Sequence, residues 1–91
     1  MYSKGTKKGT IKFSLKAAKG AKKVQVAGGF NQWKGEAMTK QKDGSFAKTL
    51  TLKNGAYEYK FIVDGNWMVD PENNQWAMNS YGTMNSVAQV I

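Results

Sequence analysis

Two of the three tryptophans stand in or beside turns, and they are the side chains of this chain best placed to do chemistry. Trp33 closes the run Gly28-Gly29-Phe30-Asn31-Gln32-Trp33, and Trp67 follows Asp64-Gly65. Each comes just after a stretch whose alternating positions already supply a core, so the expectation is exposure. The competing expectation is that either ring closes an end of the core. An exposed ring offers a negative face to weakly positive C–H groups, such as those on the flat of a sugar ring. Hydroxyls around such a ring need donors and acceptors at its edge.

Bond-breaking chemistry has little to work with. Histidine and cysteine are absent, which removes the commonest general base, the commonest metal ligand and the thiol nucleophile. Six carboxylates remain, and Asp43, Asp64 and Asp70 stand in Asp-Gly, Asp-Gly and Asp-Pro pairs, where the side chain caps its own backbone. A glycosidase needs two carboxyl groups about 5 to 9 Å apart around a cleft, which so short a chain rarely offers. Gly28-Gly29 precedes no helix and lacks the lysine of a phosphate-binding loop. No enzyme activity, no catalytic residue, no metal and no cofactor are expected.

The net charge of +8 comes from fourteen lysines and no arginine. Arginine is the residue whose planar fork reads guanine edges and grips phosphate, so specific nucleic-acid binding is not expected. Eight of the lysines fall within residues 4–23, where they read as a solvated tail, edge strand and loop. No apolar run approaches the roughly 20 residues of a membrane span, and none follows the amino-terminal lysines as in an export signal. No membrane partner and a cytoplasmic location are the expectation.

The elements that must hold the tryptophans are strands. Thr10 to Leu15 alternates, with Ile11, Phe13 and Leu15 on one side. After a loop at Lys16 to Lys23, Val24 and Val26 repeat the alternation. A short strand around Ala37 to Lys40 reaches the turn Asp43-Gly44, and Phe46 to Leu52 leads to Asn54-Gly55, which suggests two hairpins. Ala56 to Asp64 is the most regular piece and reads as a central strand, with Tyr57, Tyr59, Phe61 and Val63 facing one way and Glu58, Lys60 and Ile62 the other. Asp64-Gly65 turns into Asn66 to Val69, Glu72 to Gly82 is irregular, and Ser86 to Val90 supplies a last strand. About seven short strands with turns between them and no helix predict an all-β antiparallel sandwich. Residues 1–9 are expected to be a flexible basic tail before one domain at 10–91.

Three stretches of this chain taken together resemble the glycogen-binding module of carbohydrate-binding family forty-eight. They are residues 24–33, then residues 55–67 with Asp70-Pro71, then Tyr81-Gly82-Thr83-Met84-Asn85-Ser86-Val87. The module occurs in the AMP-activated kinase β subunit and at the amino termini of branching and debranching enzymes, and the likeness runs over residues 10 to 90. It implies an early-set immunoglobulin-like sandwich that binds α-1,4-linked glucan (glycogen, starch or maltooligosaccharide) without hydrolysing it. Carried over by position, it implies that Trp33 and Trp67 are stacking platforms and that Lys60 donates to glucose hydroxyls. Thr83 and Asn85 match polar residues that bond the sugar. Tyr81 falls where the kinase module has an aliphatic side chain that reaches through the curve of the glucan, so the ring either inserts or packs. Phe30 is expected beneath its loop, and Trp76 as a loop anchor rather than a third platform. A glycogen-metabolising enzyme or a kinase subunit is the implied partner. The alternative is a protein-interaction module of the same fold without sugar affinity, against which the retained Trp33, Trp67, Lys60, Thr83 and Asn85 weigh.

Overall fold

The computed structural model describes residues 1–16 and 20–90, so residues 17–19 of the expected loop lie outside the described residues. Ten strands form: β1 (Tyr2–Lys4), β2 (Thr10–Leu15), β3 (Val24–Gly28), β4 (Glu36–Ala37), β5 (Thr39–Lys40), β6 (Phe46–Thr51), β7 (Gly55–Val63), β8 (Asn66–Met68), β9 (Trp76–Met78) and β10 (Met84–Val90). They make two antiparallel sheets, one ordered β1-β2-β6-β5, the other β4-β3-β7-β10-β9 with β8 also on β7. The chain is thus an all-β, immunoglobulin-like antiparallel sandwich. No helix among the described residues is long and apolar enough to cross a membrane.

The core follows from the period of two. Ile11, Phe13 and Leu15 of β2 and Phe46 of β6 meet Val24, Val26, Tyr59, Phe61, Ala88 and Val90 from the facing sheet, all of them buried. Phe13 sits at the centre, 4.9 Å from the Tyr59 ring and 5.3 Å from the Phe30 ring, so Phe30 does pack beneath its loop. Edge-to-face and offset contacts of this kind suit the ring quadrupoles.

The β7 strand positions everything else. β3 lies along one of its edges, while the other edge is shared: β10 pairs with residues 55–59 and β8 with residues 61–63. The turn from β7 to β8 takes two residues, Asp64 (φ 48°) and Gly65 (φ 87°), both in the left-handed region as a two-residue hairpin requires. That turn puts Trp67 directly across from Ile62, on the outward face of the sheet. Ile62, expected outward, is indeed on that face but buried, with Gln25 and Trp67 as its cross-strand neighbours.

Four expectations change. Residues 1–9, expected as a flexible tail, contain β1, which pairs with β2 from Tyr2↔Phe13 to Lys4↔Ile11. Tyr2 packs against the core, and the Met1 nitrogen donates to the Ser14 carbonyl and pairs with Asp70. Ala37 to Lys40 is not one strand: β4 joins β3 and β5 joins β6, and the chain crosses between sheets at buried Met38. The Asp43-Gly44 hairpin forms, but Asn54-Gly55 joins β6 to β7 in different sheets and is an arch. The irregular stretch Glu72 to Gly82 holds β9, which pairs with β10.

Candidate functional site

An open cavity of about 900 Å³ lies on the outward face of the larger sheet. It is walled by the loops after β3 and β9, with β7 as its floor. The six residues singled out by sequence all line it: Trp33, Lys60, Trp67, Tyr81, Thr83 and Asn85.

Trp33 is carried by a loop that the sequence shapes tightly. Asn31 accepts from the Gly28 amide (2.9 Å) and donates to the Val26 carbonyl (3.2 Å), folding the chain back on β3. The Trp33 amide returns to the Gly28 carbonyl at 2.9 Å. Gln32 and Trp33 both have positive φ (58° and 62°), a conformation that costs about 1–3 kcal/mol per residue for side chains of this kind. Such strain persists where the surroundings over-determine it. A side chain at Gly28 would stand 2.5 Å from the Glu58 carbonyl and 2.6 Å from the Phe30 ring, so only glycine lets the loop sit this close to β7.

Trp67 arrives from the opposite side on β8, and the two indole rings come within 6.5 Å at a tilt of 42°. Trp67 is 52% exposed and Trp33 37%, which rules out the core-lid expectation for Trp67 and leaves Trp33 with a solvent-facing ring. The two rings are therefore not coplanar, and together they present two apolar faces set at an angle.

The far wall is a chain of hydrogen bonds. Lys60 projects outward from β7 and its Nζ donates to the Thr83 Oγ1 at 3.2 Å. Asn79 Nδ2 donates to the same oxygen (2.6 Å) and lies 3.0 Å from the Asn85 Oδ1. Asn85 Nδ2 donates to Glu58 Oε1 at 2.9 Å. With both acceptor positions of Thr83 Oγ1 filled, its own hydroxyl hydrogen is free to donate outward. The Lys60 ammonium keeps two further donors. Asn85 is 5% exposed, so it holds the wall in place more than it reaches into the cavity.

Asn79 also accepts from the amides of Tyr81 (3.0 Å) and Thr83 (3.1 Å), and its backbone closes the turn through Thr83 and Gly82. The turn lifts Tyr81 into solvent, 89% exposed, so the ring is not packing as one expectation had it. Asn79 and Glu58 are residues of the candidate site, lining the cavity, that sequence reasoning missed. Their signals were present: an asparagine two and four residues before turn amides, and an outward position on the central strand beside Lys60.

The three turn aspartates are engaged elsewhere. Asp43 accepts from Ser45, whose hydroxyl and amide hold its carboxyl below the usual range. Asp70 accepts from the Glu72 amide as expected, but also from the Tyr59 hydroxyl at 2.6 Å. Asp64 caps the amides of Lys22 and Lys23, 42 and 41 residues away, rather than its own turn. Glu58 is the one carboxylate among the described residues that line the cavity.

The family described as the glycogen recognition site of AMP-activated protein kinase matches residues 11–91. The 5'-AMP-activated protein kinase subunit beta-1 of Sus scrofa is 37% identical over 71 residues, which cover 78% of this chain and 57% of that protein. Subunit beta-2 of Mus musculus is 32% identical over 76 residues, 84% of this chain and 28% of that protein. The chain therefore spans between 28% and 57% of the length of these relatives. Among solved structures, a maltogenic amylase from S. marinus superposes with a TM-score of 0.73 over 100% of this chain and 16% of that one. At 23% identity that likeness shows the fold alone.

Proposed function

This chain belongs to the family of the glycogen recognition site of AMP-activated protein kinase, and from that premise we propose that it binds α-1,4-linked glucan without hydrolysing it. The observation that carries the reading is the Trp33–Trp67 pair, 6.5 Å apart, facing a wall whose free donors belong to Lys60 and Thr83. The helical curve of an α-glucan fits a tilted pair of platforms, where the flat ribbon of a β-linked glucan fits coplanar ones. Trp33 and Trp67 stack on sugar faces, Lys60 and Thr83 donate to hydroxyls, and Asn85 holds Glu58 and Asn79 where a second layer of acceptors is needed. Tyr81, free of the body of the domain, lies against the open side of the chain.

Non-catalytic binding is supported by the single carboxylate in the cavity, since glycoside hydrolysis uses two flanking the bond. In the same reading, the domain brings a kinase subunit, in keeping with the names of the relatives, or a glycogen-metabolising enzyme to its glucan.

The expected dissociation constants lie between about ten micromolar and a few millimolar, because a shallow site holding a few sugars yields about 4–7 kcal/mol. Calorimetric titration with maltoheptaose at low and high salt, with co-sedimentation on insoluble starch, tests the proposal. Binding should change little with salt, as for a neutral ligand. No binding by folded protein defeats the reading, and equal retention on cellulose defeats the α-linkage.

A further inference from the structure

Trp76 was expected to anchor its loop, yet it is 52% exposed, as open as Trp67. It stands on β9, the edge strand of the larger sheet, outside the cavity. In register, Ala77 lies across from Asn85 of the cavity wall, while Trp76 lies across from Ser86, which is fully buried on the inward face. Trp76 therefore emerges on the other side of the β9–β10 ribbon, where the smaller sheet does not cover it. Met78 shares that side by alternation and pairs with Met84, and both are exposed.

Because β9 is the edge strand, Met78 also borders the cavity margin although it alternates with Trp76. The apolar path thus continues from the cavity, past Met78, to the Trp76 ring. Two residues of strand separate them, about 7 Å, which one or two sugar units span. The stretch is uncharged in a way the rest of the chain is not: residues 73–91 contain no lysine, aspartate or glutamate, although the chain has fourteen lysines. Asn74 and Gln75 beside Trp76 are exposed amides. A polyanion finds no lysine in this stretch, whereas a neutral polyhydroxyl chain finds a ring face, amides and the free backbone edge of β9.

We infer that Trp76 is a further stacking platform, which takes the part of a longer α-glucan that overruns the cavity and turns around the β9 edge. This rests on the glucan-binding reading above. The curvature of the α-1,4 chain carries it around the edge, so the site distinguishes long chains from short ones.

The test is to titrate the whole chain and its Trp76→Ala variant with maltotetraose and with maltodecaose, with a melting curve for each protein. The expected result is an affinity for maltodecaose lowered about fivefold or more, an affinity for maltotetraose changed less than about twofold, and an unchanged melting temperature. Equal affinities of the two proteins for maltodecaose overturn the inference, as does an equal loss for both sugars or a lowered melting temperature. A Trp76→Ala change that dissociates a dimer in sedimentation, with sugar affinity intact, assigns the ring to self-association and overturns it too. Failure of the unmodified chain to bind either sugar is a different outcome, since it removes the underlying reading along with this one.

Discussion

Tyr59 and Lys60 are neighbours on one strand and belong to opposite worlds. Tyr59 points inward, fully buried, and its hydroxyl donates to Asp70 (2.6 Å) while accepting from Asn73 (3.1 Å). Asp70 is itself buried, with its amide on the Ser86 hydroxyl. Lys60 points outward into a second polar network through Thr83, Asn79, Asn85 and Glu58. Both networks join β7 to β10 and the segments flanking it. The inner one has every buried side-chain polar atom satisfied among the described residues, so it leaves nothing for a ligand. The outer one ends in unspent donors. A closed network stabilises a fold, whereas an open one keeps donors for a ligand.

The largest effect expected from breaking this contrast is on the inner side. Asp70→Ala strands the Tyr59 hydroxyl and releases the turn at Glu72, which should lower stability by about 3 kcal/mol. Denaturant unfolding measures it, and the folded protein should keep its maltoheptaose affinity. A stable Asp70→Ala protein that had lost glucan binding would invert the assignment of the two networks.

On the outer side, Trp67→Ala should lower glucan affinity about five- to a hundredfold, equivalent to about 1–3 kcal/mol, by analogy with bases stacked on aromatic rings. Its melting transition should remain cooperative and close to that of the unmodified chain, because Trp67 is half exposed. Were the ring a core element, truncation would cost about 3–5 kcal/mol of stability instead. Melting curves and titrations on the same sample separate the two.

Alkaline pH sharpens the comparison without a mutation. Burial, and then the Asp70 carboxylate, push the Tyr59 phenol well above its ordinary value of 10.0. The folded state keeps this proton where the unfolded chain loses it, so the stability it contributes is present below about pH 10 and declines above. The slope approaches about 1.4 kcal/mol per pH unit. Thermal melts at pH 8 and pH 11 should show the decline. In Tyr59→Phe, which also removes the hydrogen bond, that part of the slope should vanish; an unchanged slope assigns it to other groups.

The smallest effect concerns Asn79, which orders the outer wall without reaching solvent fully. Asn79→Ala should cost about 1 kcal/mol of glucan affinity, roughly fivefold, through a loosened Tyr81–Thr83 turn. Titration beside amide exchange at Tyr81 and Thr83 tests this. Faster exchange with unchanged affinity would make the turn's order irrelevant to binding.

How much of this was legible varies with the range of the interaction. Alternation in β2, β3 and β7 gave the core, and the outward placement of Lys60, because a period of two is written in consecutive residues. The turns at Asp43-Gly44 and Asp64-Gly65 were legible from their own dipeptides. The switch at Met38 and the arch at Asn54-Gly55 were not, since a strand's pattern says which residues face inward and not which sheet it joins. β1 was hidden by Lys4 and the lysines that follow it at 7 and 8, which suit an edge strand as well as a tail.

The sequence by itself determined the sandwich, the glucan family resemblance and the identity of six cavity residues, because each rests on residue type and order along the chain. Tertiary structure alone decided that Trp33 and Trp67 approach to 6.5 Å, that Asp64 caps Lys22 and Lys23, that Asn79 ties Thr83 to Asn85, and that Trp76 stands in solvent. Each of those depends on which distant strands become neighbours, and pairing between strands is settled by the packing of both sheets around one core, a quantity no local stretch of residues contains.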